Sequence, residues 1–326
     1  MGIKGFKGFR EGLICRDKQY KENEFFEEEV TPELCAKGMH FCENPFQILA
    51  YYPFITKTGN HFSEYCEVEA LGDVVSGNEK TCTNKLFIKN KLTYHQFINS
   101  CIDFIKSKII HTNHFLQSDY ISFSSKENSH VESESATVLT SNHQSIAETL
   151  SGYSIAEALG HQNVAITNRM LSSAITTNFG SVAKCKGAKS VATTFNSFSM
   201  AQTLKNCSIA AAMNDYSMAQ SKLGFSIAVA IGEQSIAQVN DFNSVAIATS
   251  NNSVAIANSM GGIAIAMLPC DSFAKGIKSS TLIFAPNKGS SFKMFQVDDE
   301  KVKADTLYRL NKQDELEEVK GDYEEV

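Results

Sequence analysis

Residues 217–243 read SMAQSKLGF, SIAVAIGEQ and SIAQVNDFN, three consecutive nine-residue units that each begin with Ser, an apolar residue and Ala. The same pattern recurs every nine residues, without an insertion, across residues 145–270, which makes 14 units. Ala holds the third position of all 14 units, and Ser holds the first position of 12. Nine residues span about two and a half turns of an α-helix, so successive units would face opposite sides of a helix. The period instead predicts a strand of about five residues followed by a turn of about four.

The turn positions of the units carry residues that favour turns. They are Gly160, Asn178, Gly187, Asn196, Asn214, Gly232, Asp241, Ser250 and Ser259. Nine residues cannot close a coil alone, so we expect two units per turn and a two-sided β-roll with an 18-residue coil. Seven such coils, stacked at ~4.8 Å, would form a rod roughly 34 Å long. The predicted fold class is therefore an N-terminal α+β module followed by a β-solenoid with a small C-terminal cap.

Either face of each strand could form the interior of this solenoid. Position two of the unit holds Ile, Val or Met in 13 of 14 units, which favours that face as the buried one. Position four on the same face is mixed, with Glu148 and Lys184 but also Ile256. In the alternative arrangement the small residues at positions one, three and five form the core. The branched residues then form an outer ridge suited to self-association.

Steps such as Ser253-Val254-Ala255-Ile256, separated by Gly or Asn turns, resemble the head repeats of trimeric autotransporter adhesins. The resemblance covers about 40% of the chain and implies a rod, which can be trimeric. Those adhesins also have a signal peptide, a stalk and a membrane anchor, and none of these is recognisable in the sequence. A cell-surface adhesin is therefore not implied, and an adhesin or phage tail-fibre component is an alternative. The Gly-Gly-x-Gly-x-Asp loop of calcium-binding β-rolls is absent, so no calcium is expected.

Composition and charge narrow the classes of function. The chain has 326 residues, of which 43% are hydrophobic and 20% charged, as in ordinary folded proteins. Its net charge of −6 argues against a nucleic-acid-binding surface that spans the whole protein. No stretch is long and apolar enough to predict a membrane span. Residues 1–10 do not have the pattern of a signal peptide, so we expect a cytoplasmic protein, with a phage particle as the alternative location.

The nine cysteines are odd in number and irregularly spaced, which favours free thiols in a reducing compartment. Cys35, His40, Cys42 and Cys66 could be considered as zinc ligands. The close Cys-x-x-Cys pair that usually marks such sites is absent from the sequence, so no metal is predicted.

Residues 1–118 differ in composition from the repeats and predict a small α+β module. Its predicted strands cover residues 5–9, 39–42, 65–71 and 85–89, and its predicted helices cover residues 46–52, after Asn44-Pro45, and 93–109. Residues 119–144 are polar and predict either a linker or a degenerate first coil. The solenoid is assigned to residues 145–290. An acidic cap and tail, residues 291–326, contains a predicted hairpin around residues 311–314.

A resemblance to an uncharacterised domain of bacterial and phage proteins rests on motifs in this module. The motifs are Cys15-Arg16-x-x-Gln19-Tyr20, Gly38-Met39-His40-Phe41-Cys42-Glu43-Asn44-Pro45, Tyr51-Tyr52-Pro53 and Glu67-Val68-Glu69-Ala70-Leu71-Gly72. The family typically has Phe where this chain has Met39. The domain is often followed by Ser/Ala-rich repeats and a closing segment like residues 295–310. Within this motif set, His40, Cys42, Asn44 and Tyr52 are candidate pocket residues.

ADP-ribosyltransferases offer a second resemblance, because Arg16, residues 38–42, Tyr51 and then Glu67 and Glu69 follow in the order that these enzymes use. The resemblance implies NAD as the cofactor. Arg16 would orient it, Tyr51 would stack on the nicotinamide, and a Glu would stabilise an oxocarbenium-like centre. The same Glu-Val-Glu alternation is also typical of the wet side of a half-buried strand. No catalytic residue and no cofactor is therefore assigned.

The function predicted from these features is binding or assembly without catalysis. In this interpretation the solenoid displays or oligomerises the N-terminal module, and its partner is another protein or a second copy of the chain. The alternative is an NAD-using module of the ADP-ribosyltransferase type, carried on a repeat scaffold.

Overall fold

The computed structural model describes residues 2–55, 61–109, 111–112, 116–117, 120–134, 136–268, 271–288 and 291–319. They divide into two compact units, one of residues 2–55 and 61–104 and one that begins at Ile105. The first unit is mixed α/β, and the second contains a β-solenoid of about nine turns over residues 121–284. The predicted fold class is confirmed. None of the helices in the described ranges is long and apolar enough to cross a membrane.

The elements of the first unit are, in chain order, β1 (Ile3–Phe9), β2 (Ile14–Cys15), β3 (Lys18–Gln19), β4 (Glu24–Glu27), β5 (Met39–Phe41), α1 (Pro45–Ile48), β6 (Glu64–Ala70), β7 (Val74–Ser76), β8 (Thr81–Thr83), β9 (Lys85–Leu92) and α2 (Tyr94–Lys108), whose end crosses into the second unit. Strands β1, β6, β9 and β4 form an antiparallel sheet in that order. Strands β5, β8 and β7 form a second sheet, and β2 pairs with β3. Strands thus occupy the four segments for which the sequence predicted them.

Both helices of this unit begin at the residues that the sequence indicates. The side chain of Asn44 accepts a hydrogen bond from the Phe46 N–H at 3.0 Å, and Thr93 and Gln96 cap α2 reciprocally. The prediction that the first helix reaches Tyr52 is wrong, because α1 ends at Ile48. Beyond Ile48 the backbone forms turns, in which the N–H groups of Tyr51 and Tyr52 both donate to the Ile48 carbonyl. Pro53 has no N–H with which to extend the helix.

Large side chains fill the interior of the first unit. Tyr65 is fully buried, its ring stacks on Phe97 with 4.3 Å between the centroids, and its hydroxyl donates to the Tyr52 carbonyl at 2.8 Å. Phe54 meets both rings edge-on. On the other face of β1, Phe9 and Tyr20 lie in a cluster with residues of β5, β6 and β9. Each contact has its own shape, and none repeats along the chain.

The strands of the second unit are β10 (His111–Thr112), β11 (Leu116–Gln117), β12 (Ile121–Ser124), β13 (Ser129–Ser133), β14 (Thr137–Thr140), β15 (Ile146–Thr149), β16 (Ile155–Ala158), β17 (Val164–Thr167), β18 (Ser173–Thr176), β19 (Val182–Cys185), β20 (Val191–Thr194), β21 (Met200–Thr203), β22 (Ile209–Ala212), β23 (Met218–Ser221), β24 (Ile227–Ala230), β25 (Ile236–Val239), β26 (Val245–Ala248), β27 (Ser253–Ala257), β28 (Ile263–Ala266), β29 (Ser272–Gly276), β30 (Thr281–Phe284), β31 (Lys293–Gln296), β32 (Leu307–Leu310) and β33 (Leu316–Glu318). The odd-numbered strands from β13 to β29 form one parallel ladder, named ladder A. The even-numbered strands from β12 to β30 form a second, named ladder B.

The two ladders alternate along the chain, so two nine-residue units make one coil, as predicted. Residues 18 apart are therefore register partners, for example Ile209 and Ile227. Strands β12, β13 and β14 lie within residues 119–144, so coils start upstream of the first regular unit at Ser145. The register shifts by one residue between β27 and β29, where Ser253 pairs with Ser272, as the repeat pattern indicates.

Small residues form the core of the solenoid. The Ala residues at position three of both ladders and the apolar residues at position five belong to one buried cluster, and the Thr and Ser residues at position five are buried as well. The prediction that position two lies inside is wrong for ladder B, and in ladder A position two is buried but outside this cluster. Position-two residues do not belong to that cluster; in ladder B they are exposed or half-buried, and in ladder A they are buried.

Serine at position one explains why the small face can be the interior. The Ser217 hydroxyl accepts a hydrogen bond from the Ser199 N–H at 3.2 Å and lies 3.1 Å from the Asn196 carbonyl. The same Ser-to-Ser bond recurs from coil to coil in both ladders. A buried hydroxyl with both partners supplied by the backbone costs little, so a polar residue is compatible with the core.

The C-terminal end of the solenoid is covered by antiparallel strands. Strand β31 pairs with β30, β32 pairs with β29, and β33 returns along β32. The predicted hairpin around Asn311 is present, and the Asn311 side chain accepts hydrogen bonds from the backbone of Gln313 and Glu315. These strands occupy the last rung of each ladder. Residues 320–326 of the predicted tail lie outside the described residues.

Candidate functional site

An open recess of about 270 Å³ lies beside the chain that follows α1. It is lined by Leu34, Cys35, Tyr51, Gly77, Asn78, Glu79 and Lys80. The Tyr51 hydroxyl donates to the Glu79 carboxylate at 3.0 Å, and the Lys80 Nζ lies 5.1 Å from the centroid of the Tyr51 ring. Burial and then the hydrogen bond to Glu79 raise the pKa of Tyr51 to about 12. The phenol is therefore held as a neutral donor at the rim of the recess.

The turn between β7 and β8 lines the other side of this recess. The Gly77 N–H donates to the Lys80 carbonyl at 2.9 Å and closes the turn. The Gln47 side chain donates to the Asn78 carbonyl at 3.2 Å, which ties α1 to the same turn. Tyr51, Glu79 and Lys80 are thus positioned by two elements that are joined directly.

His40, a predicted pocket residue, is held by two backbone groups. Its Nε2 accepts a hydrogen bond from the Cys35 N–H at 2.9 Å, and the ring also bonds to the Gly38 backbone. Burial, followed by the positive charges of Lys7 and Lys80, lowers the pKa of His40. The imidazole is therefore a neutral group that fixes the loop around Cys35.

Cys42 and Asn44, two further pocket candidates, also have structural surroundings. Burial raises the pKa of the Cys42 thiol to about 11, although Lys7 and Lys80 act in the opposite direction. A thiol that stays protonated is a poor nucleophile. The Asn44 side chain caps α1 through the bond to Phe46 described above.

Arg16 and Tyr52 lie near one another. The Tyr52 hydroxyl donates to the Cys15 Sγ at 3.1 Å. Burial, the neighbouring Cys15 and this hydrogen bond raise the pKa of Tyr52, and Arg16 opposes that rise. Arg16 also acts on His40, so it contributes positive charge to the same region, while its own side chain is exposed.

Glu67 and Glu69 are not joined to Tyr51. They alternate along β6 with the buried residues Cys66, Val68 and Ala70, as the wet side of a strand does. Among the residues that the structure describes, neither carboxylate has a hydrogen bond or an ion pair. The carboxylate that contacts Tyr51 is that of Glu79 instead.

Sequence reasoning missed Glu79, Lys80 and the buried Lys7. Lys7 is only 4% exposed, and its ammonium donates to the His40 carbonyl at 2.7 Å and lies 5.2 Å from the Tyr20 ring centroid. A signal was present, since Lys7 is in phase with the buried Gly5 and Phe9 on β1. Glu79 and Lys80 follow a turn-forming Gly77-Asn78 pair, which is an ordinary surface pattern.

The considered zinc ligands Cys35, His40, Cys42 and Cys66 do not form a metal-binding group in the described part of the chain. The group of ligand-type side chains found there is His130, Glu132 and Glu148, with ligand atoms within 4.8 Å of one another. Two other partners already hold Glu148. The Asn168 amide lies 2.9 Å and the Lys186 ammonium 3.4 Å from its carboxylate. This arrangement is an ion-pair network on ladder A.

The outer face of ladder B, named the ladder B face, is the other candidate site. It consists of the outward residues of the ten strands of ladder B and of β31, which pairs antiparallel with β30 at the end of that ladder. They are Ile121, Phe123, Thr137, Leu139, Ile155, Glu157, Ser173, Ile175, Val191, Thr193, Ile209, Ala211, Ile227, Val229, Val245, Ile247, Ile263, Ile265, Thr281, Ile283, Met294 and Gln296. All 22 are exposed or half-buried, and Glu157 is the one charged residue among them.

Residues 3–100 match a family described as Domain of unknown function (DUF7666). The match covers most of the first unit and less than a third of the chain, and it is consistent with the predicted similarity to an uncharacterised family. Searches of curated proteins and of solved structures found no match. The resemblance of the repeats to adhesin heads therefore stays a prediction.

Proposed function

We propose that this chain is a non-enzymatic binding and assembly protein, in which the solenoid carries the first unit and offers the ladder B face as its docking surface. One observation carries the proposal: a flat β face of 22 residues exposes a single charged side chain. Folded monomers seldom leave a contiguous apolar patch of this size exposed to water. An interaction surface accounts for such a face.

The chemistry of the first unit supports binding over catalysis. Burial and then the positive charges of Lys7 and Lys80 lower the pKa of His40, and burial raises the pKa of the Cys42 thiol to about 11. General acid-base or thiol catalysis needs a group that can change its protonation near neutral pH. The recess beside Tyr51 is lined by the phenol of Tyr51 and by the opposite charges of Glu79 and Lys80. These hydrogen-bonding groups suit recognition of a ligand.

The NAD-using alternative has one supporting observation. Tyr51 is exposed at the rim of the recess, where its ring offers an aromatic surface for a planar group. Calorimetric titration of NAD into the full chain, with Tyr51→Ala as the matched variant, decides between the two functions. We expect no heat with either protein. Binding that is lost in the variant, together with NAD hydrolysis, would replace the non-enzymatic proposal.

The docking surface itself is tested with an environment-sensitive apolar dye at sub-micromolar protein. We expect the full chain to bind the dye and the double variant Ile209→Lys/Ile227→Lys to lose most of that signal. The control, Phe225→Lys, changes an even more exposed apolar residue in a turn outside the face. Equal dye binding by all three proteins would contradict the proposal. A cytoplasmic location, and an adhesin or tail-fibre role as the alternative, stay predictions.

A further inference from the structure

The ladder B face has a third column of residues beside the two already described. The residue that follows each strand also points outward, and four of these residues are large, apolar and exposed: Phe195, Met213, Ile231 and Met267. On the strands themselves Ile155, Ile209 and Ile227 remain 41%, 39% and 37% exposed. The face is therefore three columns wide, and its third column is apolar at these four rungs and polar at Ser125, Ser141, Thr177 and Thr249.

The area of the face can be compared with what a stable complex needs. Eleven rungs at ~4.8 Å span about 48 Å, and five residues at ~3.3 Å span about 16 Å, which gives about 800 Å². A standard protein–protein interface buries about 800 Å² on each partner. Two such faces packed against each other would therefore bury the area of a standard interface without further contacts.

The chemistry of the face selects an equally flat and uncharged partner. It has rungs in place of a groove, so an isolated helix or a charged peptide would find few complementary features. A second copy of this chain offers the same rung spacing and the same apolar columns. Two β faces pack at about 10 Å, and a two-fold axis makes one patch complementary to itself. Glu157 lies on the third of the eleven strands, near one end of the face and away from its centre.

The C-terminal end of the solenoid favours this face-to-face arrangement over end-to-end stacking. Strands β31 and β32 run antiparallel to the last parallel strands, so the end that would receive another coil is already paired. An added parallel coil would have to displace them. The broad face is the larger surface that remains open.

We propose that two copies of the chain associate through their ladder B faces into a two-fold dimer. This inference rests on the proposed function, since it names the partner of that docking surface. Lys at the centre of the face would place two charges in an apolar interface, which is costly without partners. The few hot-spot residues near the centre of an interface contribute about 2 kcal/mol or more, so Ile227→Lys is expected to raise the dimer dissociation constant by about 30-fold or more.

Sedimentation velocity on the full chain, from sub-micromolar to tens of micromolar, tests the dimer. We expect the wild type to move to twice the mass of the 35.8 kDa chain with rising concentration. Ile227→Lys should stay monomeric, and Phe225→Lys should behave as the wild type. Matching circular dichroism spectra would show that both variants fold.

Three outcomes would overturn the dimer: a wild-type monomer at all concentrations, a trimer, or a dimer that Ile227→Lys leaves unchanged. A monomer whose apolar dye signal still depends on Ile209 and Ile227 would leave the docking surface intact with a different partner. Loss of both signals would refute the proposed function as well. The two failures are therefore distinguishable.

Discussion

The two units bury apolar surface in opposite ways. The first unit fills its interior with large rings such as Tyr65 and Phe97, each in a contact that occurs once. The solenoid fills its interior with Ala, Ser and Thr, repeated in every coil. The first unit therefore depends on the size of each core side chain, whereas the solenoid depends on smallness and on its backbone ladders. Smaller core side chains should therefore destabilise the first unit, and larger core side chains should destabilise the solenoid.

The largest effect is expected from shrinking a core residue of the first unit. Tyr65→Ala removes a buried ring and its hydrogen bond to Tyr52, and the cavity should lower the free energy of unfolding of this unit by about 3–5 kcal/mol. Denaturant titration followed by near-ultraviolet circular dichroism measures it. Tyr65→Phe, the control, keeps the ring and should lose only about 1 kcal/mol. A similar loss in both variants would show that ring packing is not the main source of stability.

Enlarging a core residue of the solenoid should come next. Ala201 is fully buried at position three of ladder A, so Ala201→Leu forces extra methyl groups between the ladders and should lower the unfolding free energy by about 1–3 kcal/mol. Ala211→Leu makes the same change on the half-buried ladder B face and should cost less than about 0.5 kcal/mol. Thermal and denaturant unfolding of the pair measure the difference. Equal losses of unfolding free energy in the two variants would contradict the assignment of Ala201 to the core and Ala211 to the outer face.

The serine ladder should contribute a smaller amount per residue. Ser217→Ala leaves the buried Ser199 N–H without its acceptor, so we expect a loss of about 1–3 kcal/mol, at the lower end if the coil relaxes. Ser197→Ala, in a half-buried turn, is the control and should be neutral within about 0.5 kcal/mol. Hydrogen exchange at Ser199 should rise only in the first variant. Unchanged protection there would contradict the role given to the ladder.

The ion-pair network on ladder A should give an effect that depends on pH. Burial raises the pKa of Glu148, but hydrogen bonds from His130 and Asn168 and the charge of Lys186 outweigh it and lower the pKa to about 2. A folded-state pKa below the unfolded value means that this carboxylate stabilises the fold above about pH 4.5 and loses that contribution as the pH falls toward 2.

Unfolding free energies of the wild type and Glu148→Gln, measured between pH 7 and pH 2, test this assignment. The variant should be the less stable protein at pH 7, and the difference should shrink through the window between about 4.5 and 2. A difference independent of pH would mean that Glu148 contributes through its shape rather than its charge.

The nine-residue period was sufficient to predict the strands, the 18-residue coil and the ladders, because each unit repeats the same physical pattern. It could not decide the interior. Position two is apolar in both ladders, and only the structure shows that the hydroxyl of a residue such as Ser217 is satisfied inside by the neighbouring coils. Alternate units belong to different ladders, and their sequences differ at position four. Position four is mostly polar in ladder A, as at Gln220, and mostly apolar in ladder B, as at Val229.

The candidate site of the first unit was predictable only in part. Tyr51 was named from a family resemblance, and it does line the recess. Its carboxylate partner, Glu79, lies 28 residues away in a turn, and no local pattern marks such a long-range pair. Glu67 and Glu69 were named because the chain order matched a known arrangement, whereas β6 gives them the ordinary place of solvent-facing residues.

One pair of variants tests most directly the claim that the small face of each ladder B strand is the interior and the branched face the exterior. Ile227→Glu and Ala228→Glu are neighbours on β24 and carry the same charge. Denaturant unfolding at sub-micromolar concentration should show Ile227→Glu within about 1 kcal/mol of the wild type, and Ala228→Glu losing several kcal/mol or failing to fold. A stable Ala228→Glu beside an unfolded Ile227→Glu would contradict the account.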